Sequence, residues 1–287
     1  MPTTERKPRD DELDTFGVSH KGKVRQENQD HFLLASLHKH LQVIQTSLTD
    51  AERLPLADER VAYIAMVADG VGGGVGGERA SATTVEVATE YVVSSTNCYY
   101  RTADTAEGEF IETLEQAAMR CHSAVRARAK REGGKGAMAT TLTLFMGVWP
   151  WYYLLQVGDS RYYLYRDGQL TQVTRDQTIA QELVDKGVMT RTTAQHTNFN
   201  NILSSAIGAE EALPVVTRLR ADWGNVHLLC TDGLTKHVSD ERIAECLGAM
   251  TSSRQACEQL LAEALEAGGT DNITIIVGRS VPRDVTP

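Results

Sequence analysis

The stretch Val61 to Ser81, VAYIAMVADGVGGGVGGERAS, constrains this chain more than any other, because an apolar run halts on one carboxylate and then breaks into glycine. Val61, Tyr63, Ile64, Met66 and Val67 are β-branched, aromatic or apolar enough to read as a strand buried in a sheet. Asp69 and Gly70 stand at its end, glycines 70, 72, 73, 74, 76 and 77 follow, and Glu78 opens a helical pattern through Val85, Val87, Ala88 and Val92. Three readings of this block are open. In the first it is a flexible turn whose acid caps the helix. In the second the glycines expose backbone N–H groups as a phosphate cradle, although Gly76-Gly77-Glu78-Arg79 puts an acid where a nucleoside triphosphate loop needs lysine. In the third, Asp69 projects from the strand end as a ligand for a hard divalent cation, with the unhindered Gly70 carbonyl beside it.

At 287 residues the chain is within the range of one large α/β or layered domain. A net charge of −9 offers no basic stripe, which disfavours a nucleic-acid partner. The five cysteines (98, 121, 230, 246, 257) are scattered and form no C-x-x-C pair, which argues for a reducing compartment and against a zinc ribbon. The first residues, MPTTERKPRDDELD, lack the apolar core of a signal peptide, and no run approaches the roughly 18 apolar residues of a membrane span. The chain is therefore read as cytoplasmic, with no membrane partner.

Along the chain, residues 1–13 read as a disordered tail, rich in charge and proline. Thr15 to Leu34 gives a strand, a polar loop from Lys21 to Asp30 and a second strand from His31; residues 37–60 form a poorly patterned insert with His38 and His40. A helix follows over Gly108 to Arg131, then a hairpin of Thr140–Val148 and Trp151–Val157, and a second hairpin turning at Asp167-Gly168. Asp176 to Lys186 carries a short amphipathic helix, and Val188 to Asn201 reads as an irregular surface loop. A strand over Val226–Thr231, helices at Asp240–Leu247 and Arg254–Leu265, and a last strand at Ile273–Val277 complete the chain.

One arrangement recurs: a β-rich run begins or ends at an aspartate beside a small residue. It occurs at Asp69-Gly70, Gly158-Asp159-Ser160 and Asp232-Gly233, with Asp271-Asn272 opening the last strand and Asp30 just before another. Any single member is a common turn. If the five converge, their carboxylates repel one another unless cations sit among them. Magnesium or manganese would satisfy such a cluster, and a water held by two ions about 3.5–4 Å apart is acidified enough to attack phosphorus.

At this point the sequence resembles a known family. The blocks Arg25-x-x-Asn28-Gln29-Asp30, Val67-Ala68-Asp69-Gly70-Val71-Gly72-Gly73, Gly77-Glu78-x-Ala80-Ser81, Ala139-Thr140-Thr141, Val157-Gly158-Asp159-Ser160-Arg161, Asn201-x-Leu203-x-x-x-Ile207-Gly208, Thr231-Asp232-Gly233-Leu234 and Asp271-Asn272-Ile273-Thr274 are similar to the successive motifs of the protein phosphatase 2C family, in its compact bacterial form. The resemblance implies an α+β fold: a four-layer αββα sandwich of two mostly antiparallel sheets flanked by helices, as one phosphatase domain over residues 14–280 with a C-terminal tail at 281–287. It implies a metal-dependent protein serine/threonine phosphatase using two core Mg2+ or Mn2+ ions and a weaker third. Carried over residue by residue, Asp69 bridges the core ions, the Gly70 carbonyl binds one of them, and Asp232 and Asp271 complete the other. Asp30 acts through metal-bound water, Asp159 holds the third ion, and Arg25 grips the substrate phosphate. Phosphorylated proteins, the products of a serine/threonine kinase, are the implied substrates of a monomeric enzyme, and Gln177 to Asn201 matches the flap beside the site.

Two departures matter. The family often has glutamate where Gln29 stands, so the site carries one negative charge fewer. Eukaryotic relatives have a histidine where this chain has Val71, which removes that candidate general acid and leaves metal-bound water or another group, such as His196, to protonate the leaving oxygen. Other classes fit less well: no cysteine has an arginine six residues on, as a cysteine-based phosphatase requires, and no G-x-S-x-G elbow marks a serine hydrolase. A nucleotide-binding protein built on the Gly72–Gly77 loop, or a phosphoprotein-binding module that keeps the fold and has lost catalysis, remains as an alternative.

Overall fold

The computed structural model describes residues 6–39, 59–72, 75–95, 107–133, 138–195 and 197–283. Its central strands are apolar on both faces, and each face buries against a different layer. On β3 (Glu59–Val71), Ile64 and Met66 pack with helix side chains such as Ala88 and Leu114, whereas Ala65 and Val67 pack with Leu229 and Ile276 of the opposite sheet. Two antiparallel sheets result. One runs β1 (Leu13–His20), β11 (Ile273–Ser280), β10 (Val226–Cys230), β7 (Arg161–Arg166), β8 (Gln169–Gln172). The other runs β2 (Asp30–Lys39), β3, β5 (Leu142–Val148), β6 (Trp151–Val157), β9 (Val215–Arg220), with β4 (Ala139–Thr140) paired to the end of β3.

Helices α1 (Val75–Ser94) and α2 (Glu107–Arg131) cover the second sheet, and α6 (Asp240–Ala249) and α7 (Ser253–Glu266) cover the first. The order of layers is therefore helix, sheet, sheet, helix. Fully buried Met66, Leu114, Leu144, Leu228 and Leu260 anchor the outer cores, each contributing about 1.5–3 kcal/mol of apolar burial. Ser239 and Ser252 cap α6 and α7 by accepting hydrogen bonds from the Arg242 and Gln255 amides.

Several elements depart from the sequence reading. Residues 6–12, assigned above to a disordered tail, pack on the sandwich: Arg6 pairs with Glu12, which is 1 % exposed, and Trp223 Nε1 donates to the Arg6 carbonyl. Trp223 lies far off in sequence, so no local pattern announces this packing. Val281 N donates to the Glu12 carbonyl, which ties the start of the C-terminal tail to the same corner. Beyond α3 (Ile179–Asp185), Val188 to Asn201 is not irregular throughout: α4 (Arg191–Gln195) and a 3-10 turn at Asn198–Asn201 occupy it, with the Thr190 hydroxyl accepting from Thr193 N. β9 had no expected counterpart. His38 lies on β2 with its ring bonded to Ser36, while His40, His196 and most of the 37–60 insert lie outside the described residues. Among the described residues no helix is long and apolar enough to cross a membrane.

Candidate metal centre

The strand registers bring the aspartates together. The β2–β3 pairing sets Asp30 directly opposite Asp69, while the neighbouring strands β10 and β11 lead out to Asp232 and in from Asp271 at the same end of the other sheet. β3 does not stop at Asp69 as expected; it continues through Gly70 and Val71, paired with Thr140 and Ala139. Thr141 Oγ1 accepts from Asp69 N and Thr140 Oγ1 donates to the Asp69 carbonyl, so the backbone under this carboxylate is fixed on both sides. The charges of Asp30, Asp232, Asp159 and Asp271 all reach Asp69, and together with burial, the larger effect, they hold its carboxyl well above the usual range.

The glycines allow the close approach. A Cβ on Gly70 would meet the Gly77 carbonyl oxygen at 2.4 Å and that of Gln29 at 2.6 Å, and a Cβ on Gly77 would come within 2.8 Å of the Gly70 oxygen. The first turn of α1 thus clears the carbonyl that the sequence singled out. Of the glycines read as a phosphate cradle, Gly73 and Gly74 lie outside the described residues.

Asp30 is 4 % exposed. Its Oδ2 accepts from the Thr231 and Thr274 hydroxyls at 2.9 and 2.7 Å, and its Oδ1 is buried without a partner. Burial pushes the carboxyl up to about 7, against those two hydrogen bonds and with help from the charges of Asp232 and Asp271. Asp232 opens a short helix, α5 (Asp232–Thr235), instead of ending the strand; its Oδ1 is likewise buried and unpartnered. Burial raises Asp232 as well, opposed by Lys236, whose Nζ lies 2.6 Å from Asp232 Oδ2 and 2.8 Å from Asp271 Oδ2. Burial would raise Asp271 too, but hydrogen bonds from Arg25 and Lys236 outweigh it and hold that carboxyl low.

Arg25 does not pair with Glu27. Its Nε lies 2.7 Å from Asp271 Oδ1 and its Nη2 donates to Oδ2 at 2.9 Å, with the side chain 54 % exposed at the mouth of the cleft. The loop that carries it is pinned by Asn272, which donates to the Lys21 and Glu27 carbonyls and accepts from Gln29 N. Asp159 follows Gly158, held at φ +103°, and shares a polar cavity with Asp176, Asn200, Asn201, Asp232 and Lys236. Burial, with Asp232 and Asp176, raises its carboxyl well above the ordinary range. Gln177 exchanges two hydrogen bonds with Gly158, so the flap is fastened to the turn that presents Asp159. Ser160 and Arg161 serve that turn structurally, Ser160 through Thr141 and Thr143 and Arg161 through Asp176.

A largely buried acidic cluster with two orphaned carboxylate oxygens has the chemistry that suits a hard divalent cation. Among the described residues no three His, Cys, Asp or Glu side chains close on a common point as they stand; Lys236 is bonded to Asp232 and Asp271, and Arg25 to Asp271. All five aspartates singled out from sequence lie at this end of the sandwich, near enough for the charges of the other four to act on Asp69. Lys236, Asp176, Thr231 and Thr274 were not foreseen in the site; for Lys236 the signal was the Asp232-x-x-x-Lys236 spacing, visible only once Asp232 is recognised as the start of a helix.

The fold and the site together define an αββα sandwich with an aspartate cluster between the ends of its sheets. The sequence model of protein phosphatase 2C matches residues 45–267, and the chain belongs to the protein phosphatase 2C family. The serine/threonine protein phosphatase PstP of Mycobacterium tuberculosis is 34% identical over 223 residues, covering 78% of this chain but only 41% of that protein. The serine/threonine phosphatase stp of Listeria monocytogenes is 30% identical over 225 residues, 78% of this chain and 85% of its own. The crystal structure of M. tuberculosis PstP/Ppp superposes with a TM-score of 0.74 at 30% identity, over 94% of this chain and 99% of that one. A structure of the PstP catalytic domain in complex with two manganese ions gives 0.71 at 29% identity, over 94% and 99%.

Proposed function

We propose that this chain is a divalent-metal-dependent protein serine/threonine phosphatase, hydrolysing phosphoserine and phosphothreonine esters. The observation that carries the reading is the convergence of Asp30, Asp69, Asp159, Asp232 and Asp271 at one end of the sandwich, with buried Asp30 Oδ1 and Asp232 Oδ1 lacking any protein donor. The names of the mycobacterial and listerial relatives support the same activity. Asp69, the Gly70 carbonyl, Asp232 and Asp271 are the residues to hold two core ions, Asp30 acts beside them, and Asp159 is the residue for a third. Bound Mg2+ or Mn2+ supplies Lewis-acid polarisation of water and of phosphoryl oxygens.

The chain's own groups do the rest. Arg25 offers a planar fork of donors that matches two phosphate oxygens as it now matches the two oxygens of Asp271. Asp30, steadied at Oδ2 by two threonine hydroxyls, keeps Oδ1 clear of protein donors, which suits it to accept a hydrogen bond from water. Asn200 and Asn201 of the flap line the cleft beside Asp159 and so border any peptide bound there. The reading extends to one phosphatase domain over residues 14–280, monomeric, acting in the cytoplasm on the products of a serine/threonine kinase; the free, buried Cys121, Cys230, Cys246 and Cys257 suit a reducing compartment.

The test is hydrolysis of p-nitrophenyl phosphate and of a phosphothreonine peptide with and without manganese. Turnover is expected to depend on the metal and to fall by about 100-fold or more in Asp69→Asn. Turnover indifferent to metal, or an Asp69→Asn variant as active as the parent, overturns the reading.

A further inference from the structure

Lys236 stands where its charge matters most. It lies one turn after Asp232, so the two side chains share a helix face, and its backbone N–H donates to the Asp232 carbonyl at 2.9 Å, which fixes the start of its stem. The ammonium spends two of its three donors on the two aspartates assigned above to one core ion, at 2.6 Å from Asp232 Oδ2 and 2.8 Å from Asp271 Oδ2. The adjacent His237 ring bonds Thr270, which fastens this turn to the residue before Asp271. A single monovalent group therefore bridges the two carboxylates, while Asp232 Oδ1 remains without a donor.

We propose that Lys236 is a built-in competitor for the divalent ion, and that an ion taking Asp232 Oδ2 and Asp271 Oδ2 must displace its ammonium from both. The inference rests on the metal-centre reading above and deepens it. A doubly charged ion and an ammonium cannot both sit between the same two oxygens without strong repulsion, and the ion, with twice the charge, wins only after losing part of its affinity to the exchange. The lysine has somewhere to go: its side chain is 32 % exposed, its four-carbon stem is flexible, and it borders the polar cavity that holds Asp159, Asn200 and Asn201. Ion loading on this side is therefore coupled to the release of a cation into the cleft.

The test compares Mn2+ binding by the full-length chain and by Lys236→Met, which keeps the length and helix propensity of the stem and removes its charge, using calorimetry after chelator treatment. The variant is expected to bind Mn2+ at least tenfold more tightly, and to be less heat-stable than the parent without metal but not with it. Equal or weaker binding by the variant overturns the competition. A second measurement needs no variant: labelling of Lys236 in the parent protein by an amine-reactive ester, read by mass spectrometry, is expected to rise severalfold on Mn2+ addition. Labelling that stays flat while Mn2+ binds overturns the proposal. Failure of the parent to bind Mn2+ at all overturns the metal-centre reading, and this inference with it, so the two failures are told apart.

Discussion

At the scale of single residues the site depends as much on missing atoms as on charged ones. Gly70 has backbone oxygens of Gly77 and Gln29 where a Cβ would stand, and backbone cannot swing aside as a flexible side chain can. Gly70→Ala is therefore expected to cost about 1–3 kcal/mol in chemical denaturation, typical of overpacking, and to weaken Mn2+ binding by displacing the carbonyl beside Asp69. Asp69, Asp159 and Asp232 are legible in sequence because each sits next to a small residue at the edge of a β-rich run, and Asp30 and Asp271 because each stands just before one. Lys236 is not, because the Thr231–Lys236 segment looks like a turn until Asp232 is seen to open a helix.

At the scale of elements, periodicity located most strands and helices, and the two hairpins fell where their turn residues stood. The exceptions share a cause. β9 is a short edge strand following Pro214, and residues 6–12 are held by partners distant in sequence, so the information that orders them is tertiary. The loop from Lys21 to Gln29 is of the same kind. The Asn272 amide pins it with three hydrogen bonds, to Lys21, Glu27 and Gln29, beside the one from Lys23 N to the Gly269 carbonyl. Asn272→Ala removes these three part-buried hydrogen bonds, at about 0.5–1.5 kcal/mol each. Amide exchange over residues 21–29 is expected to accelerate well beyond any change in the cores of α6 and α7.

At the scale of the whole molecule, what sequence could not supply is the facing of the two sheets, since antiparallel neighbours fix register within a sheet but not between sheets. Their interface contains a titratable group. His227 packs against Phe145 and Tyr152 of the opposite sheet, and its Nδ1 lies 2.7 Å from the Tyr162 hydroxyl. Burial lowers its pKa from the ordinary 6.5 to about 4. Below pH 6.5 the unfolded chain takes up a proton that the folded one refuses, so stability falls as pH drops from 6.5 towards 4 and regains its full value above 6.5. The contribution approaches about 3 kcal/mol at the acid end. In His227→Asn, which keeps an acceptor for Tyr162, unfolding midpoints across that range should lose this part of their slope.

Asp30 and Asp69 belong to one sheet, and Asp232 and Asp271 to the ends of strands in the other; the hydroxyls of Thr231 and Thr274 clasp Asp30 across the seam. The aspartate cluster therefore straddles the seam between the sheets, and its alignment records how one slab of the protein rests on the other. A disturbance far from the cleft that slides the slabs by a fraction of a residue would put the aspartate cluster out of true while leaving each slab intact.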